Sequence, residues 1–395
     1  MGQSKAIVEQ LQQINQILID TPAKNDGFLG GGLGTIYYFF YYSMVLEDDK
    51  IQEKAQEMLA AYIEKLNNDE LNIHPFSYCN GLAGFAYAMS HLHKIGAVNI
   101  DIEEEFEGLD EQLFHSATEL LKNHCTDFLH GAFGIIHYFS SRDRSDRIQN
   151  YLDELIKIIH HQLLDYPDFA CIANLSLPSN QVKEQINMSL AHGLSGFLIV
   201  LLNSTENSAS KSLILDTITR CSAMIEQSYQ KRTEDPESFS GFPSVVNFNE
   251  GSRKYNNRLA WCYGDLGQVL LFTRMNKTKE LPNVNTFSLE ALSNTTVKRK
   301  SYKSTLVKDS YFCHGAAGVA HFYQSLHKES GNPIFATAHQ YWIKKTVKLL
   351  AEDLNNKTFA GEEHSILDGL SGVGLTLLSS ISKKQLSWGD AVLLP

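Results

Sequence analysis

Residues Gly193–Leu202 read GLSGFLIVLL: two glycines three apart, then a run that is apolar on every side. A helix without a polar face has to be buried all round. The same device recurs at Gly31 and Gly34, Gly81 and Gly84, Gly131 and Gly134, Gly264 and Gly267, Gly315 and Gly318, and Gly369 and Gly372. That makes seven copies, at spacings of 50, 50, 62, 71, 51 and 54 residues. A single pair would mean little, but seven in near register mark an array of like supersecondary units. Between the copies lie amphipathic stretches with one wet face, such as Ile51–Leu66, Ile148–Leu164 and Ala336–Leu350. Alternating buried and half-buried helices predict an all-α, double-layer helical barrel, an α,α-toroid of seven helical-hairpin repeats and about fourteen helices. It occupies residues 1–395 as one domain. Glycine at the entry of each inner helix fits helix ends that converge at one end of the barrel. The long spacings place polar loop insertions near 231–257 and 276–309.

Composition narrows the function. The 395 residues carry 34 Lys and Arg against 45 Asp and Glu, a formal charge of −11, so the basic field of a nucleic-acid binder is absent. The opening MGQSKAIVEQ is too polar for a secretory signal and lacks the hydroxyl residue of a myristoylation signal. No run approaches the roughly 18 apolar residues of a membrane span. These features predict a cytoplasmic protein. Its six cysteines are dispersed rather than locally paired, which points to free thiols or metal ligands instead of a disulfide scaffold.

Aligned on the first glycine, the seven copies carry Gly30, Asn80, His130, His192, Tyr263, His314 and Asp368 immediately before it, and six of these can hydrogen bond or titrate. One position earlier stand Cys79, Cys262 and Cys313, three of the six cysteines in one register. The stretches Trp261-Cys262-Tyr263-Gly264 and Phe312-Cys313-His314-Gly315 belong to successive copies, neighbours in a ring. Two thiolates and one imidazole can therefore meet at one zinc ion, leaving a fourth tetrahedral place open for water or substrate. Cys79 lies three copies away and reads as a packed thiol. His91, His93, His160 and His161 are expected on solvated helix surfaces. His130 shares the register of His192 and is expected to line the cavity. Asp368 reads as either a cavity residue or a helix cap.

With WCYG at 261–264, CHG at 313–315 and AHG at 191–193, the chain resembles the lanthionine synthetase C-like cyclases of lanthipeptide biosynthesis, from the first glycine pair to the last. That resemblance implies the α,α-toroid and one zinc ion, held by Cys262, Cys313 and His314, that activates a precursor-peptide cysteine for addition to dehydroalanine or dehydrobutyrine. It further implies proton transfer at His192, a cavity tyrosine at Tyr263, and functional roles for Asp127 and Arg258. For the last two, a helix cap and a solvated loop residue are the structural alternatives.

The implied partners are a dehydrated precursor peptide, a dehydratase and a transporter complex that would bring the protein to a membrane periphery. The competing functions are addition of glutathione or another thiol to dehydrated residues, and a non-catalytic peptide-binding scaffold with structural zinc. A terpenoid or glycan enzyme on a similar toroid would need more carboxylates than Asp127 and Asp368. The spacings leave little room for the small α+β module that some family members carry.

Overall fold

A computed structural model describes residues 2–176, 183–230, 239–283 and 287–395. Among them are sixteen α-helices, fourteen of ten residues or more and two of four. No helix among the described residues is long and apolar enough to cross a membrane. The chain divides into two compact units, residues 1–105 with 307–395, and residues 106–306.

The first unit contains α1 (Gly2–Asp20), α2 (Gly32–Leu46), α3 (Asp49–Asn67), α4 (Leu82–Lys94), α5 (Ile102–Glu105), α14 (Ala316–Ser330), α15 (Pro333–Asn355) and α16 (Leu370–Ile381). The apolar-all-round sequences give its buried helices: α2, α4, α14 and α16 have few exposed residues. Amphipathic α3 and α15 show a wet face, and side chains cap their first turns. Asp48 accepts from the N–H of Lys50 and Ile51, and Asn332 from that of Ile334, just ahead of Pro333 in the first turn. The helices α14 and α15 pack together, and α16 packs on α2 and α1. A final 3₁₀ turn, Trp388–Val392, buries Trp388 and Val392 in this core.

The second unit contains α6 (Glu107–Lys122), α7 (Ala132–Ser141), α8 (Asp146–His161), α9 (Leu194–Ser204), α10 (Lys211–Gln227), α11 (Leu266–Met275), α12 (Leu289–Lys298) and α13 (Tyr302–Thr305). Here α7, α9 and α11 are the buried helices, and Phe133 stacks on Phe197 between α7 and α9 with ring centroids 4.4 Å apart. Two small antiparallel sheets sit among them. β1 (Leu164–Asp165) pairs with β2 (Ala170–Cys171), and β4 (Val245–Asn247) lies between β3 (Gln185–Asn187) and β5 (Ser252–Lys254). The strands occupy the two widest repeat spacings, where the sequence pattern anticipated none.

Of the stretch 231–257, residues 231–238 lie outside the described residues, residues 245–254 form β4, β5 and their turn, and residues 239–244 and 255–257 are loop. The stretch 276–309 is only partly loop, because Ser288 caps α12 through the N–H of Ala291 and Ser301 caps α13 through that of Ser304.

The paired glycines have a local reason. A Cβ on Gly318 would overlap the carbonyl oxygen of Phe312, because the loop before the helix doubles back across its first turn. These loops are stitched to one another two residues before the first glycine. The N–H of Leu29 donates to Cys79 O at 2.8 Å, Cys313 N–H to Leu367 O at 2.7 Å, and Leu367 N–H to Leu29 O at 3.2 Å in the first unit. In the second unit Ala191 N–H donates to Cys262 O at 3.4 Å.

His91 corrects one expectation. It is buried on α4, with Nε2 2.7 Å from the Tyr41 hydroxyl and 3.1 Å from Ser387 Oγ, because the side of α4 that carries it faces the tyrosine-rich core. His93 and His161 are exposed, and His160 is half-buried against Thr217.

Candidate functional site

The loop before each buried helix is held by a recurring turn. The side chain three residues before the register residue accepts its backbone N–H: Ser77 from Asn80, Asp127 from His130, Ser189 from His192 and Ser365 from Asp368. Three of these acceptors are serines, each with one oxygen. The fourth is a carboxylate, and its second oxygen is spare. Asp127 Oδ1 takes the N–H groups of Leu129 and His130, both at 2.9 Å, while Oδ2 lies 2.8 Å from His192 Nδ1. The helix that follows is capped by Gly131 without a side chain, so Asp127 is not its N-cap.

Asp127 is fully buried, whereas the His192 side chain keeps 18 % of its surface exposed. Burial alone would raise the Asp127 carboxyl, but the hydrogen bond and charge of His192, the charge of His130 and the His130 N–H hold it below the ordinary range. Burial alone would lower His192, but the hydrogen bond and charge of Asp127, with the charge of Cys262, keep it above the ordinary imidazole value. Buried Asn174 supports the pair, its Nδ2 donating to His192 O at 2.9 Å and lying 3.5 Å from Asp127 Oδ2.

The stitch from Ala191 to Cys262 sets the next register residues side by side, and the rings of His192 and Tyr263 lie 6.2 Å apart. Gly264, at φ +106, makes the turn that presents Tyr263; a Cβ there would strike the Arg258 carbonyl. Asn187 Nδ2 donates to the Tyr263 hydroxyl at 2.9 Å, and its Oδ1 accepts the Ser189 N–H at 2.9 Å, which fixes the orientation of the amide. Because Nδ2 can only donate, the phenol oxygen accepts, and the phenol proton is left to point elsewhere. Burial raises the Tyr263 pKa and keeps that proton in place at neutral pH.

Cys262 is buried in this unit. His130 is exposed, with its ring 6.4 Å from that of His192. Arg258 is half-buried, and its backbone N–H bonds Asn256 Oδ1. Among the described residues its guanidinium meets no partner. Asn174, Asn187 and Ser189 were not singled out from sequence; the recurring Ser or Asp four residues before the first glycine was the signal available for Ser189.

Cys313 and His314 belong to the first unit and Cys262 to the second. In the first unit one donor atom each from Cys313, His314 and Asp368 lies within 4.8 Å of the others. His314 Nδ1 is 3.4 Å from Asp368 Oδ1, and its Nε2 is 3.9 Å from Asp309 Oδ2. Zinc bonds of about 2.0–2.3 Å in a tetrahedral set separate donors by roughly 3.3–3.8 Å, so a small contraction would bring these atoms onto one ion. A thiolate, an imidazole and a carboxylate are all zinc donors. Cys79 is buried against the register residue of its own loop, with Sγ 3.6 Å from Asn80 Oδ1.

A family model described as lanthionine synthetase C-like protein matches residues 23–393. Among solved structures, a chain described as nisin cyclase superposes with a TM-score of 0.76 at 16 % identity, covering 99 % of this chain and 97 % of that one. No curated protein matches the sequence. The structural match, with the alternating helices, shows the fold to be the α,α-toroid expected from the glycine repeat. With its model spanning all seven glycine pairs, the chain belongs to the lanthionine synthetase C-like protein family.

Proposed function

We propose that the protein is a zinc-dependent lanthipeptide cyclase, adding cysteine thiols of a dehydrated precursor peptide to dehydroalanine or dehydrobutyrine to form thioether rings. The observation that carries this reading is the Asp127–His192 pair, 2.8 Å apart with the carboxylate fully buried and the imidazole partly open. Family membership and the likeness to nisin cyclase support the reaction class.

The addition makes one S–C bond and one C–H bond, and consumes one S–H bond and one C=C π bond. A proton therefore leaves the thiol and another arrives at the α-carbon. Asp127 accepts a hydrogen bond from His192 Nδ1–H and so leaves Nε2 as the atom that exchanges protons with the reactants. Protonated at Nε2, His192 delivers the proton that quenches the enolate. Tyr263, whose oxygen accepts from Asn187 and whose hydroxyl also meets the Ser189 side chain, turns its proton to the enolate oxygen, and Arg258 adds positive charge to that task. Cys313 and His314, with Cys262 added by its place in the repeat register, would hold the zinc ion. When bound there, the ion stabilises a thiolate near neutral pH.

The test incubates purified protein with a dehydrated, cysteine-containing precursor peptide and counts alkylation-resistant thiols over time, with zinc content measured in parallel. Ring formation well above the uncatalysed rate supports the cyclase. Acceleration only with added glutathione would instead make it an enzyme for intermolecular thiol addition. Tight zinc and peptide binding with no acceleration would make it a scaffold.

A further inference from the structure

Gln268 sits in the first turn of α11, 2 % exposed, and its neighbours orient its amide. Its Nε2 donates to Met188 O at 2.7 Å and to Ser195 Oγ at 3.1 Å, and Ser195 gives its own proton to the same carbonyl at 2.7 Å. Turning the amide over would set oxygen against oxygen. Both Nε2 protons are therefore spent, and Oε1 is the polar atom left over. It is sealed from solvent and accepts no hydrogen bond among the described residues. A buried amide oxygen in that state calls for a partner.

Gln268 lines a small cavity that also touches Tyr263, Ser189, Ser240, Ser244 and Asn256. The centre of a water-sized sphere has about 10 Å³ to move in there, room for one water and nothing larger. The walls are hydroxyls, amides and apolar groups with no charged side chain, which suits a neutral guest rather than an ion.

Ser189 completes the accounting, since a hydroxyl has one proton and two lone pairs. One lone pair of Ser189 Oγ takes the His192 N–H at 3.0 Å, and the hydroxyl also meets that of Tyr263. Asn187 Nδ2 already donates to the Tyr263 oxygen, so the contact between the two hydroxyls can run in either direction. If Tyr263 gives its proton to Ser189, that proton is lost to the substrate.

We propose that the cavity holds one ordered water that donates to Gln268 Oε1 and to Ser189 Oγ, and that Gln268 is thereby a positioning residue for Tyr263. Gln268 Oε1 can only accept, so it draws one proton of the water and the other goes to Ser189. Both lone pairs of Ser189 are then filled, its own proton goes to the Tyr263 oxygen, and the Tyr263 proton is released toward the substrate. This deepens the reading in which Tyr263 donates to the enolate oxygen, and it rests on that reading.

A crystal structure of the full-length wild-type protein, at a resolution that shows ordered water, tests the site without substrate or variant. A water is expected within about 2.7–3.0 Å of both Gln268 Oε1 and Ser189 Oγ. No density there, a water on Gln268 alone, or a protein donor on Gln268 Oε1 would overturn the proposal.

The positioning role is read from kcat for cyclisation of a dehydrated precursor peptide by wild type, Gln268→Met, Tyr263→Phe and the double variant, with zinc content and circular dichroism beside it. Methionine keeps the length of the side chain and removes the amide. Tyr263→Phe is expected to cost about 10²- to 10³-fold, the range for one oxyanion donor. Gln268→Met is expected to lose part of that in the wild-type background and nothing further once residue 263 lacks its hydroxyl. The same fold loss in both backgrounds would overturn the role, because a variant that merely loosens the fold acts whether or not the phenol is present. Wild-type kcat in Tyr263→Phe would overturn it as well. A wild type that forms no rings would overturn the cyclase reading and the positioning role together, while the crystal structure decides the water separately.

Discussion

Asp127 divides its two oxygens between two tasks: Oδ1 closes the turn of its own loop through the N–H groups of Leu129 and His130, and Oδ2 reaches His192, 65 residues on in the sequence, at 2.8 Å. Asp127→Asn keeps a turn acceptor but cannot hold a positive charge on the imidazole. His192 is raised above its ordinary value largely by Asp127, and its acidic form is lost as pH rises through that raised value. The alkaline limb of the cyclisation rate is therefore expected at lower pH in Asp127→Asn than in wild type. Superimposable pH profiles would remove Asp127 from the mechanism.

The same pair links stability to pH. Asp127, depressed below 3.8, contributes stability above that value and loses it on acidification through its folded pKa. His192, raised above 6.5, contributes stability that is full below 6.5 and lost as pH rises through its folded pKa. The coupling is thus largest between 3.8 and 6.5. A double-mutant cycle with Asp127→Asn and His192→Asn, followed by urea denaturation across this range, is expected to give its greatest interaction energy there and less above it.

His192→Asn is expected to retain zinc and peptide while losing about 10²- to 10⁴-fold in rate, the range for a positioned acid or base. The readout is the time course of alkylation-resistant thiols on the dehydrated peptide, with zinc content beside it. Wild-type rates with zinc present would exclude His192 as the proton donor. Loss of zinc would place it among the ligands.

What was readable in the sequence followed the length of the signal. Helices such as α2 and α9 announce themselves by six or seven consecutive apolar residues after a glycine pair, and the register residues follow from counting back one position. The family resemblance named Asp127 and His192 separately, and the contact between them, which joins two loops far apart in sequence, is seen only in the structure. Asn187 and Asn174 stayed hidden because an asparagine in a polar loop is ordinary until its partners are known. Strands of two or three residues, such as β2 and β3, are too short to show a period of two. His91 was misread because HLHK looks like a polar helix end, whereas His91 itself turns inward to Tyr41.

Asp265 and Arg299 form a buried ion pair at 3.1 Å that ties the loop carrying Cys262 and Tyr263 to the end of α12. Burial pushes the Asp265 carboxyl up, and Arg299 with the N–H groups of Gly241 and Phe242 counters it. Arg299 also donates from Nε to Ser304 O and from an Nη to Asn257 O, each at 2.7 Å. Arg299→Ala would leave a buried carboxylate unpaired, so a loss of about 3–5 kcal/mol is expected in urea denaturation. A loss under 1 kcal/mol would mean that solvent reaches Asp265 once the arginine is gone.

The carboxy-terminal turn shields two histidines that the fold keeps neutral. Trp388 stacks on His321 with ring centroids 4.2 Å apart, and Ser387 with Tyr41 closes over His91. Burial is the main cause that lowers both, His321 to about 3 and His91 to about 4, against 6.5 for an ordinary imidazole. Unfolded chains therefore take up protons first as pH falls, and stability must drop from 6.5 downward until the folded values are reached. Each histidine is expected to remove about 1 kcal/mol per pH unit over that range. Urea midpoints between pH 7.5 and 4.5 measure the slope, and the comparison with His321→Phe isolates one group from the carboxylates that titrate alongside. The variant is expected to start less stable or equal at pH 7.5 and to lose stability more slowly on acidification. Parallel curves for the two proteins would show that His321 is charged, or equally reachable by protons, in the native core.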